Sequence, residues 1–258
     1  MQPAAPAIEV AGLVKHYGDT RAVDGISLRV ETGEVFGLLG PNGAGKTSTL
    51  RMIAGILRPD EGRVLIDGFD VVTDAYGAKA RLGYIPDRPF VYEKLTGAEL
   101  LRFVAGLYGQ SGEEVEERIR ELLSLWDLEG WADELVEAYS HGMRQKLIIS
   151  SALVHRPRAL VIDEPMVGLD PRAARLLKDL LRAFAHTGGT ALLSTHTLEF
   201  AEVLCERMAV IDHGRIVAQG TMAELREHAA AHESGLEEIF LRLTGGVTER
   251  ELMRVLAG

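Results

Sequence analysis

One stretch of the chain has the residue types and the spacing of a phosphate-binding loop. Residues 40–47 read Gly-Pro-Asn-Gly-Ala-Gly-Lys-Thr and fit the pattern Gly-x-x-x-x-Gly-Lys-[Ser/Thr]. Glycines let backbone N–H groups converge on phosphate oxygens, where a Cβ would obstruct the approach. In this pattern the lysine lies at the β- and γ-phosphates, and the hydroxyl takes one position on Mg²⁺. Lys46 and Thr47 are therefore predicted to bind a nucleoside triphosphate and its metal ion.

The sequence on either side supplies the strand and the helix that such a loop needs. The mainly apolar residues 34–39 predict a short buried strand, and a helix is predicted to follow Lys46, run to about Leu57 and stop before Pro59. The helix N-terminus adds partial positive charge and unpaired N–H donors at the phosphates. The residues predicted to contact the nucleotide here are Asn42, Gly43, Ala44, Gly45, Lys46, Thr47 and Ser48.

A pair of carboxylates follows a second buried strand. The apolar residues 159–162 predict a parallel strand covered on both faces, and Asp163 and Glu164 come directly after it, where α/β sheets bind their ligands. Asp163 is predicted to help hold Mg²⁺, directly or through water, and Glu164 to accept a proton from attacking water. Alone, the pair could equally be a surface feature of a turn; the upstream phosphate loop favours catalysis.

Composition and charge exclude several classes of protein. The chain has 258 residues, 47% apolar and 26% charged, which is typical of a globular protein with a full core. Its net charge of −10 argues against a broad basic face, so no nucleic-acid partner is expected. The single cysteine, Cys205, excludes an internal disulfide and is predicted to be a small buried hydrophobe. No apolar run approaches the roughly 18 residues of a membrane span, and residues 1–7 lack a signal-peptide pattern, so we expect a cytoplasmic location.

The order of predicted elements gives an α/β architecture with an insertion. Residues 8–15 and 22–30 predict two strands, and α/β alternation returns at residue 159. Between these regions, Thr96 and Glu99 have the spacing of a capping box at the start of a helix. The predicted units are an α/β core with a β subdomain at residues 1–87 and 151–228, a helical insert at 88–150 and a C-terminal helical extension at 229–258.

Three further motifs follow in a characteristic order. Residues 139–145 read Tyr-Ser-His-Gly-Met-Arg-Gln, residues 168–170 read Gly-Leu-Asp, and residues 194–196 read Ser-Thr-His. With the phosphate loop and the carboxylate pair, these motifs make residues 8–227 resemble the ATP-binding subunit of ABC transporters. The resemblance implies ATP as the nucleotide. It also implies a P-loop NTPase fold with a mixed, mainly parallel sheet, an antiparallel β subdomain and an all-helical insert.

The resemblance gives two residues a role at the ATP molecule bound to their own subunit. Tyr17 matches the aromatic residue that stacks on adenine, although a tyrosine in a turn could also simply pack there. His196 matches a histidine that contacts the γ-phosphate and positions Glu164 and water. This role depends on the order of the five motifs along the chain. A lone histidine after a strand would otherwise indicate only a local hydrogen bond.

The resemblance gives three other residues a role at the interface with a second subunit. Ser140 and Gly142 match signature residues that reach the γ-phosphate bound to the opposite subunit, and Asp170 matches a residue that crosses the dimer interface. The resemblance therefore implies a head-to-tail dimer, a homodimer in the simplest case, with two ATP molecules between the subunits.

The chain departs from the family pattern at two motifs. Asp87 stands where the family usually has Gln; its oxygen could still meet Mg²⁺, but it adds negative charge beside the phosphates. The signature usually reads Leu-Ser-Gly-Gly-Gln, and here Tyr139, His141 and Met143 replace three of those residues. Together with residues 89–96, these variants are similar to bacterial exporter-type subunits.

The resemblance implies ATP hydrolysis that energises transport through a separate membrane permease, with export favoured. The subunit would lie on the inner face of the cell membrane. Residues 87–96 would help form the groove for a permease helix, although Phe90, Val91 and Leu95 could equally be core of the insert. One alternative is a soluble ATPase switch acting on ribosomes, DNA or an assembly complex, which commonly carries two nucleotide units or long coiled coils. A small-molecule P-loop kinase is disfavoured by the signature-like segment and the carboxylate pair.

Overall fold

The computed structural model describes residues 5–88, 90–229 and 235–245. The strands are β1 (Ile8–Tyr17), β2 (Thr20–Val30), β3 (Val35–Leu39), β4 (Glu61–Ile66), β5 (Phe69–Asp70), β6 (Leu82–Ile85), β7 (Ala159–Asp163), β8 (Thr190–Thr195), β9 (Arg207–Asp212) and β10 (Arg215–Thr221). The helices are α1 (Lys46–Ile53), α2 (Ala75–Lys79), α3 (Gly97–Leu107), α4 (Glu113–Leu125), α5 (His141–Leu153), α6 (Pro171–His186), α7 (Leu198–Leu204), α8 (Met222–His228) and α9 (Leu236–Thr244), with 3₁₀ turns at Glu129–Trp131 and Val136–Ala138.

A mainly parallel sheet of six strands forms the centre, in the order β10-β9-β3-β8-β7-β6. Strands β9 and β10 form an antiparallel hairpin, and the other neighbours are parallel. Strands β3, β7 and β8 are buried along their whole length, which explains the apolar run within each strand. The register pairs Leu39 with Thr195 and Asp163 with Ser194, so the carboxyl ends of these three strands meet at one edge.

A second sheet, in the order β2-β1-β4-β5, is antiparallel throughout. In β2, Ile26, Leu28 and Val30 are buried and alternate with exposed residues. These apolar side chains share one core with α1 and one face of the central sheet. The predicted α/β core with an antiparallel β subdomain is confirmed.

Helix α1 is shorter than its sequence predicts. It ends at Ile53, whereas the apolar pattern and Pro59 predicted an end near Leu57. Gly55 adopts a φ of 63°, and the Leu57 N–H turns back to the carbonyl of Arg51. The prediction was wrong because a left-handed glycine ends the helix before the proline is reached.

The insert is helical, as predicted. Thr96 caps α3, with its hydroxyl accepting from the Glu99 N–H at 3.2 Å and the Glu99 carboxylate accepting from the Thr96 N–H at 2.9 Å. The insert shares a core with the other face of the central sheet, and α5 continues across the predicted boundary at residue 150 to Leu153. Phe90 is 93% exposed, whereas Val91 and Leu95 pack against this core.

The short helix near the C-terminus packs on the sheet. Leu236 and Ile239 of α9 are buried with residues of α7 and β9, which confirms the predicted packing of this apolar stripe against the core. Residues 230–234 and 246–258 of the predicted extension lie outside the described residues. Burial raises the pKa of the Cys205 thiol to about 12, in agreement with a structural role. None of the helices in the described ranges combines the length and apolar composition needed to cross a bilayer.

His155 joins the insert to the central sheet and gives the fold a pH dependence. Its ring stacks on Tyr108 with 3.6 Å between ring centroids, and Nε2 lies 3.1 Å from the carbonyl oxygen of Leu82. Burial lowers the pKa of His155 from 6.5 to about 4. The unfolded chain therefore binds this proton at a higher pH than the folded chain does. As a result, stability is lost as the pH falls from 6.5 towards 4.

We expect His155→Phe to reduce this acid sensitivity, because a phenyl ring can stack on Tyr108 and does not titrate. Between pH 7 and pH 5 the wild type should lose about 2 kcal/mol more free energy of unfolding than the variant. Urea unfolding at the two pH values measures this difference. Equal losses in the two proteins would show that His155 does not cause the pH dependence.

Candidate nucleotide-binding and catalytic site

The phosphate loop connects the end of β3 to the start of α1. Gly45 is the N-cap of α1 and has a φ of 104°. A Cβ on Gly45 would collide with the carbonyl of Ala22, and a Cβ on Gly40 with the carbonyl of Ile211. Glycine is therefore required at both positions, because neighbouring strands press against the back of the loop. The loop N–H groups and the start of α1 remain on the opposite side, where an anion can bind.

Lys46 is buried inside this loop. Its Nζ donates to the carbonyls of Gly40 at 2.7 Å and Pro41 at 3.1 Å. Burial lowers the pKa of Lys46, while the charges of Glu164 and Asp163 act in the opposite direction. The loop thus holds an ammonium group close to both carboxylates.

Asp163, at the end of β7, is fully buried. Its Oδ1 accepts a 2.5 Å hydrogen bond from the Ser194 hydroxyl, and its Oδ2 is buried with no hydrogen-bond partner among the described residues. Burial raises the pKa of Asp163, while the Ser194 hydrogen bond and the nearby Thr47 hydroxyl act in the opposite direction. An unpartnered buried carboxylate oxygen beside the Thr47 hydroxyl suits a small, hard cation.

This donor set fits Mg²⁺ if phosphate oxygens supply the remaining ligands. Mg²⁺ is usually bound by one or two carboxylates plus substrate phosphates. In the part of the chain that the structure describes, no group of three His, Cys, Asp or Glu side chains could hold a metal ion. Thr47 and Asp163 would therefore bind the ion together with a nucleotide.

Asp87 lies in the same cluster of charges. It follows β6, and its Oδ1 is 3.7 Å from a guanidinium nitrogen of Arg51 on α1. Its negative charge also raises the pKa of Asp163, so the two carboxylates interact. Arg51 offsets part of the negative charge that Asp87 adds to the site, a compensation that the sequence analysis missed. Its metal-binding role stays a prediction.

Glu164 and His196 are in direct contact. Glu164 Oε2 lies 2.8 Å from His196 Nδ1 and accepts from the His196 N–H at 3.3 Å. Glu164 has a φ of 50°, which is rare for a residue with a long side chain, and such strain is concentrated at functional sites. Its N–H donates to the Ser194 carbonyl and hydroxyl, both at 3.2 Å. The carboxylate is thereby held at the edge of the site, where it can accept a proton.

Tyr17 lies beside the start of α1. It is half exposed, and its hydroxyl is 3.3 Å from the hydroxyl of Ser48. In the loop, Asn42 and Gly43 are exposed and Ala44 is buried. The stacking of Tyr17 on adenine stays a prediction, and the open ring position is compatible with it.

The signature residues lie on other elements. Ser140 caps α5 by accepting from the Met143 N–H at 3.3 Å, and Asp170 caps α6 by accepting from the Ala173 N–H at 2.8 Å. Within the described ranges, no hydrogen bond or ion pair joins Ser140, Gly142 or Asp170 to the phosphate loop. The residues that one chain brings together are Lys46, Thr47, Asp87, Asp163, Glu164 and His196.

Ser194 is, like Arg51, a site residue to which the sequence analysis gave no role. Its hydroxyl contacts both Asp163 and the N–H of Glu164. The only signal was its position in the Ser-Thr-His motif at the end of a predicted strand. The hydroxyl fixes one oxygen of Asp163 and leaves the other without a hydrogen-bond partner among the described residues.

We expect Ser194→Ala to weaken Mg²⁺-dependent nucleotide binding about tenfold, because such supporting hydrogen bonds orient metal ligands. Without the hydroxyl, the pKa of Asp163 would rise further, and fewer carboxylates would be ionised. Titration of a fluorescent ATP analogue with and without Mg²⁺ measures the effect. Ser150→Ala is the matched control, because Ser150 is equally buried and its hydroxyl bonds only to the carbonyl of Lys146. Equal affinities for the two variants would contradict the role of Ser194.

Comparisons with known proteins agree with this geometry. The family model described as ABC transporter matches residues 23–167. The daunorubicin/doxorubicin resistance ATP-binding protein DrrA of Streptomyces peucetius is 42% identical over 251 residues, which are 97% of this chain and 74% of that protein. The Nod factor export ATP-binding protein I of Ralstonia nicotianae is 42% identical over 225 residues, or 87% of this chain and 70% of that protein.

A solved structure described as an ATP binding subunit of an ABC transporter is also similar. It has a TM-score of 0.88 at 34% identity, and the match covers 92% of this chain and 99% of that one. The family match includes the phosphate loop, Asp163 and Glu164. The chain therefore belongs to the ABC transporter family, as one of its ATP-binding, ATP-hydrolysing domains.

Proposed function

We propose that this chain is the ATPase subunit that energises export through a separate membrane permease. The observation that carries the proposal is the cluster in which Glu164, held by His196, lies beside Lys46 and Asp163. Export is supported by the names of its relatives, a drug-resistance ATP-binding protein and a Nod factor export ATP-binding protein.

Each residue of the cluster has a part in hydrolysis. Lys46 and the loop N–H groups bind the phosphates of ATP, and Thr47 and Asp163 hold Mg²⁺. The bound ion supplies positive charge that offsets the charge of the phosphates. Glu164 accepts a proton from the attacking water, while its contact with His196 fixes the direction of the carboxylate.

A second copy of the chain completes the site. Ser140 and Gly142 belong to the α5 turn, which makes no described contact with the phosphate loop of its own chain. In a head-to-tail dimer this turn would contact the γ-phosphate held by the opposite subunit. ATP then favours the closed dimer and ADP does not, because only ATP has the group that both subunits contact.

An exposed apolar surface is the proposed docking place for the permease. It borders a cavity of about 420 Å³ between α2 and the end of α3. Tyr76 and Leu107 line this cavity, and Ile56, Phe90 and Tyr92 are further large apolar side chains that the structure leaves exposed. Soluble monomers rarely expose such a group of large apolar residues, so a partner is expected to cover it. The subunit would then lie at the cytoplasmic face of the membrane.

Affinity purification tests this proposal. A tagged chain expressed in its native host should purify from detergent extracts with an integral membrane protein of about six apolar spans. ATP-dependent uptake of that permease's substrate into inverted vesicles should be lost with Glu164→Gln. Recovery with ribosomes or DNA, and no membrane protein, would instead favour an ATPase switch.

A further inference from the structure

The end of β1, which carries Tyr17, is held only in part by its neighbouring strands. The pairing of β1 with β2 shifts register directly before His16, and its pairing with β4 ends where Val14 lies opposite Glu61. Pro59 stands two residues before Glu61 and has no N–H with which to continue the ladder. The regular pairing with β4 therefore stops before Tyr17 is reached.

Asp60 holds β1 where this ladder ends. Its N–H donates to the carbonyl of Val14 at 2.9 Å. Its Oδ2 accepts from the N–H of His16 at 2.7 Å, and its Oδ1 accepts from the ammonium of Lys15 at 2.8 Å. One residue thus binds the three positions of β1 that directly precede Tyr17.

The contacts of Asp60 restrain the main chain as well as side chains. The pKa of Asp60 is held below its ordinary value, first by the hydrogen bond from Lys15 and then by that from the His16 N–H. The carboxylate is therefore charged at neutral pH. A hydrogen bond from a backbone N–H to a charged acceptor is stronger than one between neutral groups. The backbone of β1 is consequently fixed one residue before Tyr17.

The tyrosine ring is held from a second direction. Its hydroxyl lies 3.3 Å from the hydroxyl of Ser48 in the first turn of α1, and half of the residue remains exposed. An aromatic ring stacks well on a base only in an offset, near-parallel arrangement. We propose that Asp60 is a positioning residue that fixes the ring of Tyr17 for stacking on adenine; the inference rests on the proposed ATPase function and on the predicted stacking.

The physical reason is that a preformed binding surface costs less to order. Without the carboxylate of Asp60, the end of β1 would adopt more conformations in the free protein, and ATP would have to order it on binding. The cost falls on recognition of the base. Lys46 and Glu164 lie on other elements, α1 and the end of β7, so the phosphate site and the chemical step do not depend on Asp60.

The test compares binding of ATP with binding of inorganic tripolyphosphate, which has no base, both with Mg²⁺. Asp60→Ala should weaken ATP binding about fivefold and leave tripolyphosphate binding unchanged, since loss of one net hydrogen bond has this size. The KM for ATP should rise by the same factor while kcat stays the same. Glu61→Ala is the matched control, because Glu61 is the next residue and its carboxylate is also exposed.

A double-variant cycle shows whether Asp60 acts through the tyrosine. Tyr17→Ala should also weaken ATP binding selectively, and in that background Asp60→Ala should cause no further loss. Thermal unfolding and the retained affinity for tripolyphosphate show that each variant is folded.

Unchanged ATP affinity in Asp60→Ala would overturn the inference, as would fully additive losses in the cycle. Equal weakening of ATP and tripolyphosphate binding would overturn it too, because Asp60 would then support the whole site. If Tyr17→Ala binds ATP as the wild type does, the stacking is wrong and the role of Asp60 is wrong with it. The rate of ATP hydrolysis by the wild type judges the proposed ATPase function separately.

Discussion

Replacement of Glu164 by glutamine is expected to reduce ATP turnover about 10³-fold while ATP binding is retained. A positioned general base contributes roughly 10² to 10⁴ in rate, and an amide cannot accept the proton of the attacking water. Glutamine has the same shape and keeps an oxygen that can accept from the N–H of His196. Binding of ATP should therefore be retained. The variant should accumulate as an ATP-bound dimer, because it does not remove the γ-phosphate that both subunits contact.

Three measurements check this prediction. They are the steady-state rate of phosphate release, equilibrium binding of ATP, and size-exclusion chromatography with and without ATP. Glu202→Gln is the matched control, because Glu202 is an exposed carboxylate on α7, outside the cluster. Wild-type turnover in Glu164→Gln would exclude Glu164 as the catalytic residue. Loss of ATP binding would instead show that the carboxylate supports the structure of the site.

Replacement of Lys46 by alanine is expected to weaken ATP binding about 100-fold. The buried ammonium is the cation inside the phosphate loop, and one or two charge-assisted hydrogen bonds to phosphate amount to about 3 kcal/mol. The variant also loses the two hydrogen bonds to the carbonyls of Gly40 and Pro41. Part of the loss would therefore come from a looser loop.

A second variant separates the loss of the ammonium group from the loss of side-chain volume. Lys46→Met keeps most of the side-chain volume without the charge, so it should bind ATP as weakly as Lys46→Ala if the ammonium is responsible. Lys94→Ala is the control, because Lys94 forms an exposed ion pair with Glu137 in the insert. Calorimetric titration with Mg²⁺ and ATP gives the affinities, and thermal unfolding shows whether each variant is folded. Tight ATP binding by a folded Lys46→Met protein would contradict the assignment.

The phosphate loop could be predicted from sequence because every feature that forms it is local. The glycines, Lys46 and Thr47 lie within eight residues, between an apolar strand and a helix. The capping box of Thr96 and Glu99 and the alternating pattern of β2 were predictable for the same reason. Short-range hydrogen bonds and side-chain periodicity depend on neighbours along the chain.

The arrangement of the candidate site residues depended on strands that are distant in sequence. Ser194 contacts Asp163 and Glu164 because β7 and β8 pair in a register that places residue 163 beside residue 194. The ion pair of Arg51 with Asp87 likewise needs α1 to lie next to the end of β6. No pattern of residue types in one segment specifies which atoms will meet across such distances.

The sequence by itself determined that this chain forms a nucleotide-binding α/β core with a helical insert, because residue types and spacing specify loops, caps and buried strands. The tertiary structure alone decided where α1 ends, that Glu164 has a strained backbone held by Ser194, and that Asp60 holds the end of β1. The physical reason is that these features arise from the packing of separate segments. The free energy of a close contact or a buried hydrogen bond depends on the relative positions of both partners, which only the folded chain defines.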